Sequence, residues 1–192
     1  IVKDLFDGSP PSSEDRILYP GTGTAPFAAT VEQICESEDW GLPSGLGIEL
    51  DPEHLTKARE RDLDHVSFVV RDFLAEDIVN IGEFDYIVGN PPYVPIDKLS
   101  EAEKSKYRDQ FDTATGRFDL YLLFFERSLN LLAQSGRIAF VTPEKFEYVK
   151  SAAPLRRLLT NSEFHIRNIE HIDEYTFESH NTFPCVTHVH KQ

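Results

Sequence analysis

Methionine is absent from the 192 residues, tryptophan occurs once and cysteine twice, and only 19 lysines and arginines stand against 33 aspartates and glutamates. Each shortage excludes something. No apolar run reaches the eighteen residues that a membrane-spanning helix needs, and the N-terminus lacks the basic-then-apolar order of a signal peptide, which argues against a membrane partner and places the chain in the cytoplasm. Cys35 and Cys185 lie far apart without a CxxC partner, so buried thiols in a reducing compartment are expected rather than a disulfide or zinc frame. The seven histidines form no metal-ligand spacing: His188 and His190 share one face of an apolar run and read as surface residues, and no metal is expected. The lack of methionine even at position 1 predicts that Ile1 is not a native start. Finally, a net charge of -14 opposes nucleic-acid binding, which needs a basic surface, but the charge is uneven. Residues 98–160 carry 11 basic and 8 acidic side chains, leaving 8 and 25 for the rest.

At 40% apolar and 27% charged residues, the chain has the composition of a folded globular domain. Short apolar runs at Arg16–Tyr19, Leu46–Leu50, Val66–Val70, Tyr86–Val88 and Arg137–Val141 predict strands. Helical patterns alternate with them: Pro52–Arg61 follows a capping Asp51, and Phe118–Gln134 is a long apolar stretch ending near Gly136. Two further strands, His165–Ile172 and Cys185–His190, flank a polar loop with no helix between them, which predicts an antiparallel closure of the sheet. The fold expected is α/β: a doubly wound, Rossmann-like sheet, mostly parallel, with ligands gathered at the carboxyl ends of the strands. Residues 94–117 are charged, with few evident apolar anchors, and read as a mobile loop; Ser100 and Glu103 form a capping box that can start a short exposed helix inside it.

The most specific motif is Asn90-Pro91-Pro92-Tyr93, which directly follows the strand ending in Gly89. By chance this tetrapeptide occurs in only on the order of one in a thousand chains of this length. An aromatic exocyclic amine is a poor nucleophile, because its lone pair is delocalised into the ring, and alkylating it requires acceptors for both N–H groups. Asn90 offers an amide oxygen, the carbonyl of Pro91 offers a second acceptor, the prolines hold the segment extended, and Tyr93 can stack on the ring. Upstream, Tyr19-Pro20-Gly21-Thr22-Gly23-Thr24-Ala25-Pro26-Phe27 carries a strand through a glycine turn into a helix. Glu49, before Leu50 and Asp51, is an acceptor for ribose hydroxyls, and Asp72-Phe73 pairs a carboxylate for an adenine amine with a ring to wall its face. Asp119 and Glu126 read as a helix start and a solvated face.

Together and in this order, these residues resemble the class I S-adenosylmethionine-dependent methyltransferases, and among them the gamma-arranged DNA adenine-N6 enzymes of type IIG restriction-modification and phage-defence systems. The similarity runs from about residue 16 to 190 and includes Phe118-Asp119-Leu120-Tyr121 and Gly136-Arg137-Ile138-Ala139-Phe140-Val141-Thr142-Pro143. Tyr19 and Ala25 stand where the pattern has an acidic residue and a second glycine. The resemblance implies a seven-stranded methyltransferase sheet with an antiparallel C-terminal strand. It places S-adenosylmethionine at Tyr19, Pro20, Gly21, Gly23, Phe27, Glu49, Leu50, Asp72 and Phe73, and catalysis at Asn90, Pro91, Pro92 and Tyr93. An aromatic residue beside the base is implied after Pro143, with Phe146 and Tyr148 as candidates. It further implies double-stranded DNA with a flipped adenine as substrate, one catalytic domain over residues 1–192 with a lead-in at 1–15, and sequence recognition by an additional domain or subunit. The alternative readings are an RNA or protein-glutamine methyltransferase, since release-factor enzymes share the tetrapeptide, or a non-catalytic cofactor-binding module.

Overall fold

Alternate residues of the central strands serve two separate cores, as the period of two in a sheet covered on both faces demands. Leu18, Ile87, Ile138 and Phe140 enter one cluster, and Ile17, Tyr19, Tyr86, Val88 and Ala139 enter the other. The structure, a computed structural model, describes residues 1–172 and 183–192. Its strands are β1 (Arg16–Pro20), β2 (Ser44–Glu49), β3 (Val66–Val70), β4 (Phe84–Gly89), β5 (Leu132–Pro143), β6 (Phe164–His171) and β7 (Pro184–Lys191). They form one sheet in the order β3-β2-β1-β4-β5-β7-β6, parallel except for β7, which runs antiparallel to both neighbours. The helices are α1 (Val2–Phe6), α2 (Pro26–Glu38), α3 (Pro52–Arg59), α4 (Glu101–Gln110), α5 (Leu120–Asn130) and α6 (Ala153–Leu159). Helices α1 to α3 cover the face of Tyr19, and α4 to α6 cover the face of Leu18. Because the chain leaves the sheet edge after β3 and returns as β4 beside β1, the strand order reverses between β1 and β4. That reversal opens a crevice at their carboxyl ends. Among the described residues, no helix is long and apolar enough to cross a membrane.

Local signals explain several elements. Asp51 accepts a hydrogen bond from the Glu53 N–H at 2.8 Å, with Pro52 in the first turn of α3. The Ser100–Glu103 capping box starts α4.

Elsewhere the structure corrects the sequence reading. The helix expected to reach Gln134 ends at Asn130, and Leu132 already pairs with Phe84 before the register shifts and resumes at Arg137 opposite Tyr86. A leucine run suits a buried helix and a buried strand equally, so periodicity could not separate them. The lead-in contains α1, whose Phe6 packs edge-on against Tyr86 at 4.9 Å. Glu126, expected on a solvated face, is buried and accepts the N–H groups of Asp112 and Thr113 at 3.0 and 2.8 Å. His188, expected at the surface, is also buried, because β7 is flanked by β5 and β6 rather than lying at an edge. Residues 94–117 are better anchored than their charge suggested, with Ile96, Tyr107, Phe111 and Ala114 in the core. The Ile96 N–H donates to the Phe118 carbonyl at 3.0 Å and the Leu120 N–H to the Val94 carbonyl at 2.9 Å. Most of the polar loop expected between β6 and β7 falls on residues 173–182, outside the described residues.

Candidate functional site

The crevice holds a cavity of about 490 Å³. The turn after β1 supplies Gly21 and Gly23, at φ +63° and +56°. At Gly21 an added Cβ would meet Phe124 and Pro92 at ordinary contact distances, so the left-handed backbone, not crowding, calls for glycine there. From the end of β2 comes Glu49, whose Oε2 accepts the Gly23 N–H at 2.9 Å while Oε1 accepts those of Leu50 at 2.9 Å and Asp51 at 3.0 Å. A carboxylate offers about four acceptor positions, so three backbone donors fix Glu49 rigidly and leave one for a ligand hydroxyl. After β3, Asp72 Oδ1 accepts the Leu74 N–H at 2.9 Å, and the Phe73 ring stands 5.0 Å from that of Phe124. The cavity lining therefore combines aromatic and apolar residues with two carboxylates already oriented by backbone N–H groups.

At the end of β4, Asn90 and Pro92 line this same cavity, while Tyr93 lines a second one of about 340 Å³ together with Asp119, Lys145 and Tyr148. Asn90 thus stands where the two spaces approach. Its Oδ1 accepts the Tyr93 hydroxyl at 2.7 Å, and that hydroxyl also lies 3.2 Å from the Val141 carbonyl. Since an amide oxygen has two lone pairs, a second donor can join. Burial raises the Tyr93 phenol well above its ordinary value, so it remains a donor. Of the two aromatic candidates after Pro143, Phe146 is sealed in the core, whereas Tyr148 is 66% exposed on the second cavity.

Of the expected cofactor residues, Gly21, Gly23, Glu49, Leu50, Asp72 and Phe73 line the first cavity, and Tyr19, Pro20 and Phe27 do not. Tyr19 alternates with Leu18 along β1, so its ring points into the opposite core, where its hydroxyl is buried without a partner among the described residues. Phe27 packs against that same core from α2, and Pro20 and Pro91 are buried at their strand ends. Missed in the sequence were Leu99, Glu103 and Tyr107 of the α4 region, and Phe124 of α5, all of which line the cavity. Burial, reinforced by Asp72 and Glu103, pushes the Tyr107 phenol up to about 12. Tyr107 did carry a signal, as a lone aromatic on an otherwise charged helix. Phe124 had none, being one apolar residue in a run of them.

The profile of the family described as Eco57I restriction-modification methylase matches residues 32–177. The type II methyltransferase M.XhoI of Xanthomonas vasicola is 33% identical over 172 residues, covering 88% of this chain and 31% of the relative. The modification methylase CviBIII of Paramecium bursaria Chlorella virus NC1A is 32% identical over 172 residues, covering 88% and 41%. The chain thus spans well under half the length of these curated relatives. Among solved structures, a Listeria monocytogenes protein described as a class I S-adenosylmethionine-dependent methyltransferase superposes with a TM-score of 0.79 at 18% identity, covering 99% of this chain and 56% of that one.

Proposed function

The chain belongs to the Eco57I restriction-modification methylase family, and from that premise we propose that it is the catalytic core of an S-adenosylmethionine-dependent DNA methyltransferase acting on the exocyclic N6 amine of adenine. The observation that carries the reading is the position of Asn90, on the cofactor-sized cavity and hydrogen-bonded to a tyrosine of the aromatic one. A donor and an acceptor held on opposite sides of such a residue can react without a covalent enzyme intermediate.

The first cavity fits the cofactor. Its volume lies in the range of about 300–1,000 Å³ typical of small-molecule sites. Glu49 keeps one acceptor position for a ribose hydroxyl, Asp72 keeps its second oxygen for an adenine amine, and Phe73 and Phe124 wall the purine. Gly21 and Gly23 let the backbone approach the methionine end. When bound, S-adenosylmethionine supplies an electrophilic methyl group on a sulfonium that departs as a neutral thioether.

On the other side, Asn90 Oδ1 and the Pro91 carbonyl are the acceptors for the two N–H groups of the target amine. By favouring a tetrahedral nitrogen they localise its lone pair toward the first cavity. Tyr93 stacks on the base, and Tyr148 offers a second ring surface. Base–aromatic stacking contributes about 1–3 kcal/mol per base, which offsets the few kcal/mol lost on unstacking an adenine from duplex. Residues 1–192 then act as one catalytic domain, and sequence recognition falls to a further domain or subunit, because this chain offers only a local basic excess over residues 98–160. In the full-length protein, Asn90→Ala should abolish methyl incorporation into adenine-containing duplex while cofactor affinity stays within a few-fold. Retention of most of the activity would refute this assignment.

A further inference from the structure

We propose that the Lys145–Asp119 pair reads the ring edge of the extruded base, with the Lys145 ammonium donating to an unprotonated ring nitrogen of adenine; the inference rests on the DNA-methylation reading above. The second cavity has aromatic walls in Tyr93 and Tyr148, and the ion pair between Lys145 Nζ and Asp119 is part of its lining. A flat heterocycle held between rings turns its edge to whatever lies in its plane, so in-plane donors and acceptors decide which base is accepted.

Asp119 shows that the pair is built for something other than the helix it begins. It occupies the N-cap position of α5, where an aspartate ordinarily accepts a helix N–H, yet it makes no cap bond. The Leu122 N–H, in the third helical position, donates to the Asp119 backbone carbonyl at 3.1 Å and the Leu120 N–H to the Val94 carbonyl at 2.9 Å, while the Asp119 carboxylate, only 15% exposed, holds Lys145. With the Lys145 side chain 44% in solvent, the pair contributes about 0–1 kcal/mol to stability, no more than the cap of about 1 kcal/mol that the Asp119 side chain forgoes. Lys145 Nζ also lies 6.0 Å from the centroid of the Tyr121 ring, which further limits where the ammonium can sit. An ammonium has three donors, and one carboxylate leaves others for a ligand. Those donors suit a ring nitrogen with a free lone pair.

The test uses the full-length enzyme and duplexes in which the target adenine is replaced in turn by its 1-deaza, 3-deaza and 7-deaza analogues. One analogue should lower the wild-type kcat/KM about tenfold or more, the scale of a hydrogen bond to a charged group. Lys145→Met should lower kcat/KM on adenine by a similar factor, become nearly indifferent to that analogue, and leave cofactor binding and thermal unfolding unchanged. Lys145→Arg should restore the sensitivity. Asp119→Asn, which loosens the ammonium without removing it, should blunt the same analogue's penalty and no other. Full wild-type sensitivity to every analogue in Lys145→Met, or indifference of the wild type to all three, would overturn the proposal while leaving the methylation reading intact. Failure of the wild type to methylate any adenine duplex would instead sink the reading on which it rests.

Discussion

Glu49 holds a turn with the same side chain that the proposed function gives to the cofactor. Its carboxylate gathers the N–H groups of Gly23, Leu50 and Asp51, tying the glycine turn after β1 to the end of β2. Removing it as Glu49→Ala should weaken cofactor binding by about 1–3 kcal/mol, read by calorimetry, and also lower stability, because the Gly23 N–H loses its acceptor. A loss of affinity with unchanged stability would mean that the turn holds without it. Ala25 answers a different question, namely how alanine stands where the family pattern has glycine. It adopts φ +58°, which costs an L-residue about 1–2 kcal/mol, but its methyl group is fully buried. Glycine would relieve the strain, lose about 0.8 kcal/mol of methyl burial, and add about 0.4–1 kcal/mol of unfolded-chain freedom. Ala25→Gly should therefore be neutral within about 1 kcal/mol in urea unfolding, and a larger gain would show that the strain dominates.

Among the elements, α4 departs furthest from its sequence. A helix of mostly charged residues, expected to be exposed, plants Tyr107 in the core and lines the first cavity with Glu103 and Tyr107. Its start is held by the capping box and its end by Phe111, whose ring receives the Arg127 guanidinium at 4.8 Å. Only one face is anchored, however, and few tertiary contacts hold the rest, so α4 belongs among the elements that open locally below the global free energy. Amide exchange in α4 should be faster than in α5, where every residue from Tyr121 to Leu129 is buried, and should slow on addition of S-adenosylmethionine. Exchange in α4 that is as slow as in α5 and indifferent to cofactor would remove α4 from the cavity wall.

Across the whole molecule, the net charge of -14 acts in two opposite directions. Carboxylates crowded outside residues 98–160 repel one another in the folded state, and salt relieves that repulsion as the Debye length falls from about 30 Å at 0.01 M to about 3 Å at 1 M. The exposed ion pairs, such as Lys3–Glu38 at 2.7 Å, lose under the same screening, but at about 0–1 kcal/mol each they are the smaller effect. Added salt should thus raise the thermal midpoint while weakening the duplex binding proposed above, because counterion release penalises any contact of the basic segment with phosphate. A midpoint that falls with salt would show that the pairs outweigh the repulsion.

What the sequence determined by itself is chemistry that operates over a few residues. Asp51 before Pro52, Ser100 before Glu103, glycines where the backbone turns left-handed after β1, and Asn90 to Tyr93 at the end of an apolar run all act on their own neighbours. They could be read without knowing the fold. What only the tertiary structure decided is which side each residue faces and what covers it. Tyr19 and Leu18 are adjacent in sequence and serve opposite cores; Phe146 and Tyr148 are two apart, one sealed and one open to the second cavity. Glu126 became a buried acceptor only because residues 112 and 113 fold back onto α5. His188 became buried only because β7 inserts between β5 and β6. Burial depends on partners brought from distant parts of the chain, and residue type or local period does not record which partner arrives.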